Sequence, residues 1–273
     1  MNDLPQFGSI LPGLTTFIDA LAEDLGTGRI DAWQSLKGSV KAFFQPDRLQ
    51  QMERTIPGWG RMAGFANGAT LVHVAVALAA LQLSPEYRQA ARAQKNLFQW
   101  IVLLHDIGKE AQPGKRDAVH AFRSAVIAAR ALPRLGFPVM DDFAGQVEAW
   151  ADLTLSATLL DANKNIRIQD NRKLPKILAG IDRLFGMNTA PGLIVKAILL
   201  HLSINSNRAW PQAAPLSEAE IKQYVDADLL PYLKMLMLID NDAWEFFDPE
   251  KRTEQRREVL SAFHSIQKAI EAG

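Results

Sequence analysis

Apolar residues recur every three or four positions along most of this chain and almost nowhere every two. Leu14, Phe17, Ile18, Leu21 and Leu25 fall on one face of a helix. Residues 32–44 predict a second, shorter helix. Pro57-Gly58 breaks the pattern, and after Gly68 a long apolar segment occupies residues 70–83. Ser84-Pro85-Glu86 has the form of an N-cap followed by proline at the first helical position. A helix is therefore predicted from there to about residue 108. Periodicity resumes over residues 117–135 and stops at Gly136 and Pro138, and further helices are predicted at about 141–160, 174–185 and 191–204. Ser217-Glu218-Ala219-Glu220 has the Ser-x-x-Glu form of a capping box. Pro231 should break or restart the helix before residues 233–247. Val259, Phe263, Ile266 and Ile270 form one stripe of a last helix, about 249–272. The polar stretch 161–173 and residues 205–215 read as loops. No run alternates apolar and polar positions strongly enough to demand a sheet, and no repeat or clear linker appears. The expectation is one all-α domain over residues 56–273, with residues 1–55 as an N-terminal helical extension.

Composition narrows the chemistry. The 273 residues carry 30 Lys plus Arg against 30 Asp plus Glu, and 48% are hydrophobic. That balance excludes a disordered chain and gives no support to a nucleic-acid binder, which needs a basic excess. There is no cysteine, so disulfides, thiolate zinc sites and Cys nucleophiles are excluded. Any metal must be held by His, carboxylates, carbonyls or water. The longest apolar stretch, residues 71–83, contains His73 and Gln82 and is shorter than the ~20 residues a bilayer requires. The opening MNDLPQFGSI lacks the basic and apolar regions of a secretion signal, so a soluble, cytoplasmic protein without membrane contact is the default expectation.

Residues 103–109 read LLHDIGK. His105 and Asp106 are adjacent, and neighbouring residues on a helix point about 100° apart, so both reach one ion only near a helix end. His73 and His201 each interrupt an apolar helical segment, and Asp240 closes the apolar run LKMLMLIDND. Burying any of these polar groups without a partner costs several kcal/mol. Taken singly, a histidine bonded to a backbone carbonyl explains each case; taken together, one shared ion explains them all. Asp242 competes with Asp240, which is preferred because it directly follows the apolar run. His120 is either a further ligand or an exposed residue at a helix start, and His264 is expected on the surface.

The order His73, His105-Asp106, Asp240 resembles the H…HD…D signature of the HD-domain metal-dependent phosphohydrolases. Residues 120–138, HAFRSAVIAARALPRLGFP, are similar to the H-x-x-x-S segment in the HD domains of bacterial tRNA nucleotidyltransferases. LKMLMLIDNDAW resembles the terminal segment that supplies the last Asp. The likeness covers about residues 70–247 and implies an HD-domain-like helical bundle with metal held between helices. It implies His73, His105, Asp106 and Asp240 as ligands of a first divalent ion (Mn, Fe, Ni, Co, Zn or Mg). His120 and His201 stand where binuclear members place ligands of a second, with Asp106 as the bridge, giving one or two ions per chain.

That resemblance implies hydrolysis of a phosphate ester, a nucleotide or related small molecule, by metal-activated water, with Asp106 at the centre. Lys109 is the first candidate for stabilising phosphoryl charge, and Arg116, Lys115 and Arg123 are further candidates for substrate contact. Ser124 reads as a ligand-binding or capping hydroxyl. The stretch 161–173, with Lys164, Arg167, Arg172 and Lys173, reads either as a substrate lid or as a solvent loop. No nucleotidyltransferase segment precedes the motif, and no Gly-Tyr-Pro follows it, which argues against the cyclic-dinucleotide branch. The alternatives are a di-iron oxygenase using the same six ligands and a non-catalytic binding or regulatory module.

Overall fold

The structure is a computed structural model that describes residues 4–11, 13–110, 117–163, 165–206 and 211–271. Among them the chain is predominantly helical. The N-terminal part forms α1 (Phe7–Ile10), α2 (Leu14–Gly26), α3 (Trp33–Phe43), α4 (Pro46–Thr55) and α5 (Trp59–Gly64). The apolar segment forms α6 (Ala69–Leu83). Every residue of α6 from Thr70 to Leu81 is buried, as expected for a helix that is apolar on all sides. It is enclosed by α2 and by two later helices, α8 (Arg92–Leu104) and α14 (Leu230–Trp244).

Ser84 caps the next helix as predicted, its hydroxyl accepting from the Tyr87 amide at 3.2 Å. That helix is not continuous to residue 108. It ends as α7 (Pro85–Gln89), Ala90 and Ala91 take extended backbone, and α8 (Arg92–Leu104) begins anew. Lys95 Nζ donates to the Arg88 carbonyl across the break. No proline or glycine marks this break, so the sequence carries no sign of it.

Next come α9 (His120–Ala131) and α10 (Phe143–Leu155), the first closed by a short 3-10 turn and Gly136 at φ 93°. The fold is all-α as expected, but one short hairpin that the sequence pattern did not demand follows. β1 (Thr158–Asp161) and β2 (Ile166–Gln169) pair as an antiparallel hairpin in register Thr158↔Gln169 to Asp161↔Ile166. The helix predicted to residue 160 thus stops at Leu155, and the stretch read as a loop contains a strand. An Asx turn, Asn163 N to Asp161 Oδ1, and Asn165 at φ 49° reverse the chain. Its basic residues are engaged locally: Arg167 on the Thr158 hydroxyl, Arg172 on Asp170, Lys173 on the Ser156 carbonyl. Lys164 lies outside the described residues.

The chain closes with α11 (Leu174–Phe185), α12 (Ala190–Leu200), α13 (Glu218–Tyr224), α14 (Leu230–Trp244) and α15 (Pro249–Glu271). The Ser217–Glu220 capping box forms. Pro231 starts α14 rather than breaking it, because a first-turn proline gives up no helical hydrogen bond. One hydrophobic cluster runs from Phe7 to Ile266. Within it α8 packs on α6, α9, α12 and α14, and α12 packs on α9 and α14. Those five helices enclose the candidate site. No helix among the described residues is long and apolar enough to cross a membrane.

Candidate metal centre

Six side chains from five helices meet at the ends of α8 and α12. His105 is the C-cap of α8, Asp106 follows it, and His201 is the C-cap of α12. His120 opens α9, His73 sits within α6, and Asp240 is one turn from the end of α14. His73, His105, Asp106, His120 and His201 are all buried, and the Asp240 side chain is 21% exposed.

Helix ends leave carbonyls without intrahelical partners, and the two C-capping histidines use them. His105 Nδ1 lies 2.7 Å from the Val102 carbonyl, and His201 Nδ1 lies 2.7 Å from that of Ile198. His120 Nδ1 lies 2.6 Å from the Asp117 carbonyl. A carbonyl only accepts, so Nδ1 carries the hydrogen in all three rings and Nε2 presents its lone pair inward. This is the tautomer that metal-ligating histidines use.

The inward atoms form two groups, His73–His105–Asp240 and Asp106–His120–His201, each with its ligand atoms within 4.8 Å of one another. In the first, His73 Nε2 is 2.9 Å and His105 Nε2 is 3.6 Å from Asp240 Oδ1. In the second, His120 Nε2 is 2.9 Å from Asp106 Oδ1 and 3.2 Å from His201 Nε2. Asp106 joins the two, since its Oδ2 is 3.8 Å from both His73 Nε2 and His105 Nε2.

In the second group these contacts are acceptors facing acceptors. His120 and His201 direct lone pairs at each other and at a carboxylate oxygen. His73 Nε2, His105 Nε2 and Asp106 Oδ1 are buried without an aligned hydrogen bond despite their close neighbours. Such an arrangement is repulsive until a cation stands among the atoms. Ligands held about 2.0–2.2 Å from one ion lie roughly 3–3.5 Å apart, which matches the observed spacings. The His/Asp donor set suits divalent cations of the Mn-to-Zn series. The groups therefore fit a metal ion, and the geometry leaves its identity open.

Electrostatics favour the binding forms of Asp106, Asp240, His73 and His201 and oppose that of His105. Burial alone would push Asp106 up, but Lys109, His105 and His120 outweigh it and hold the carboxyl well below the usual range. Burial likewise opposes ionised Asp240, and His105 and His73 reverse that effect. Burial, with His120 and His105 nearby, lowers His201 to about 3, and burial also lowers His73. For His105 the burial penalty is outweighed by Asp106 and Asp240, so it is raised.

Close packing fixes the turn that carries the His-Asp pair. A Cβ on Gly108 would lie 2.6 Å from the Ser124 amide nitrogen, and one on Gly58 would lie 2.8 Å from the Ile107 carbonyl oxygen. Ser124 Oγ accepts from the Gly108 amide at 3.0 Å, so its hydroxyl caps the turn. Lys109 Nζ is 2.7 Å from Asp106 Oδ2. Arg123 donates to the Gly108 carbonyl and pairs with Asp117; contact with a substrate would require it to leave both. Lys115 and Arg116 lie outside the described residues. His264 is exposed. Asp242 is directed away from the cluster and pairs with Arg256, which also binds Glu86.

Two contributors escaped the sequence reading. Asp117 holds His120 through its carbonyl and Arg123 through its carboxylate. Trp244 stacks on the His73 ring, with centroids 4.3 Å apart and planes at 20°. Its spacing from Asp240, one turn on the same helix, puts the two on one face but does not by itself single it out. No family model, curated protein or solved structure matches the chain.

Proposed function

We propose that this chain is a metal-dependent phosphohydrolase of the HD-domain type, acting on a small phosphate ester of the nucleotide class. The observation that carries the reading is the convergence of His73, His105, Asp106, His120, His201 and Asp240 into two groups sharing Asp106. A divalent ion bound there supplies two things to ester hydrolysis: it withdraws charge from a phosphoryl oxygen and lowers the pKa of water.

The chain's own residues supply the rest. The anchored Nδ1–H groups hold three imidazoles with Nε2 inward, and the low pKa of His201 keeps that ring neutral near pH 7. Asp106 and Asp240 stay ionised and offset the positive charge gathered at the centre. Lys109 keeps its proton, because Asp106, Asp240 and Asp117 outweigh the effect of burial. Its side chain, 15% exposed, passes beside Trp244 and near the 21% exposed Asp240 side chain, at the edge of the cluster that is least enclosed. A phosphoryl group approaching by that route meets a fixed positive charge, which favours the more negative transition state.

The test is metal analysis of the purified chain, followed by a phosphate-release screen over p-nitrophenyl phosphate, nucleotides and dinucleotides, with Asp106→Ala as control. Stoichiometric metal and phosphate release that vanish together in the variant support the reading. Full metal without release from any ester removes the hydrolase assignment. Iron with oxygen consumption would move it to oxidation, because the same six ligands suit a di-iron pair.

A further inference from the structure

Of the four clustered histidines, three are oriented by a backbone carbonyl three residues earlier. His73 is the exception. Its Nδ1 is buried with no hydrogen-bond partner, so no carbonyl anchors the ring from behind, and its Nε2, 2.9 Å from Asp240 Oδ1, is not aligned for a hydrogen bond that would fix the ring's plane. The contact that does constrain the plane is the near-parallel face of Trp244 at 4.3 Å. Trp244 is also 49% exposed, although aromatic rings of its size bury large areas when they serve a core. Lys109 Nζ lies 5.2 Å from its ring centroid. The indole thus touches both the first group's histidine and the lysine bound to Asp106.

We infer that Trp244 is a positioning residue for the metal centre. Its ring does for His73 what the Val102, Asp117 and Ile198 carbonyls do for the other three histidines. The inference rests on the metal-centre reading and is independent of the reaction proposed. Trp244 lies on α14 one turn after Asp240, so a single helix delivers a ligand of the first group and the surface that orients another. Its effect should accordingly be confined to the His73–His105–Asp240 group.

The experiment is titration of Co²⁺ and Mn²⁺ into the metal-free full-length chain, read by calorimetry and by the visible absorption of Co²⁺. It compares wild type with Trp244→Leu, which keeps apolar bulk without a flat ring, Trp244→Ala, and Trp244→Phe, which restores a ring. Loss of an outer-shell partner of a ligand typically weakens metal binding by about 10- to 100-fold. Leu and Ala are expected to weaken one of two ions by about tenfold, and Phe to recover most of the loss. Repeating the series in a His201→Gln background, where the second group is incomplete, should retain the whole effect. Wild-type affinity in both Leu and Ala variants overturns the inference, as does a Phe variant as weak as Leu. A wild-type chain that binds no ion overturns the metal-centre reading itself, a result distinct from either. Thermal melts of the metal-free variants confirm folding, and a half-exposed position at a helix end makes that expected.

Discussion

Asp240 and Asp242 stand two residues apart on α14 and have opposite surroundings. Asp240 faces His73 and His105. Asp242 faces Arg256, and burial pushes its carboxyl up to about 6 against the pull of that arginine. Removing Asp240 leaves the first group without its carboxylate, and breaking a buried charge pair costs about 3–5 kcal/mol. Asp240→Ala should therefore lose the first ion, lowering metal content from about two to one, and should lose much of the difference in melting temperature between metal-loaded and EDTA-treated protein. Asp242→Ala should keep both metal and chelator response and lose about 1–2 kcal/mol, since Arg256 retains Glu86. The reverse pattern would place the ligand at Asp242. His120→Ala or His201→Ala should each lower metal content from about two ions to one, measured by elemental analysis; unchanged content would exclude the second group. The preference for Asp240 was legible because a carboxylate ending a Leu/Met run needs a counter-charge, although Asp242 shows that an arginine can supply one. Trp244 was not legible, because an aromatic at the end of an apolar helix reads as core until the stacked ring is seen.

Elements place these residues by where they stop. α8 and α12 both end on a histidine that binds a carbonyl of its own last turn, so two helix ends become two ligand positions. The turn after α8 has little room, with Gly108 pressed on Ser124 and Ile107 pressed on Gly58. Gly108→Ala should push this turn off α9, costing about 1–3 kcal/mol as other overpacked sites do. It should also separate Asp106 from His120, so the variant is expected to lose the second ion before the first. A variant with wild-type denaturant midpoint and full metal content would show that the close approach is not needed. Sequence patterns located helices well where propensity and caps agree: α11 spans the predicted 174–185, opened by Pro175 and closed by Gly186. They failed where tertiary contacts decide. The α7–α8 break has no glycine or proline, and β1 carries Leu159 and Leu160 on opposite faces, both exposed, so it shows no period of two.

Across the whole molecule, the metal-free centre makes stability depend on pH in a calculable direction. His201 has an unfolded pKa near 6.5 and a folded pKa of about 3. Between those values the unfolded chain binds a proton that the folded chain refuses. Stability is thus fully present above pH 6.5 and declines as pH falls toward 3, by about 1.4 kcal/mol per unit for one such group. His73, also lowered by burial, acts in the same direction. His105 is raised and acts oppositely, which moderates the slope. Asp106 and Asp240, both held low, add their loss only below about pH 4, where the unfolded carboxylates protonate. Guanidinium unfolding in EDTA at pH 7, 6 and 5 should therefore show a falling midpoint, and His201→Gln, which takes up no proton, should flatten it. In saturating metal the fall should steepen, since protons then compete with an ion that stabilises by about 2.7 kcal/mol when present at 100 times its Kd. A wild-type midpoint that is level or rising from pH 7 to 5 in EDTA would mean that His201 takes up a proton in the folded state. Its Nε2 would then be a hydrogen-bond donor to His120 rather than a free lone pair, and the second group would be held together by a proton instead of an ion.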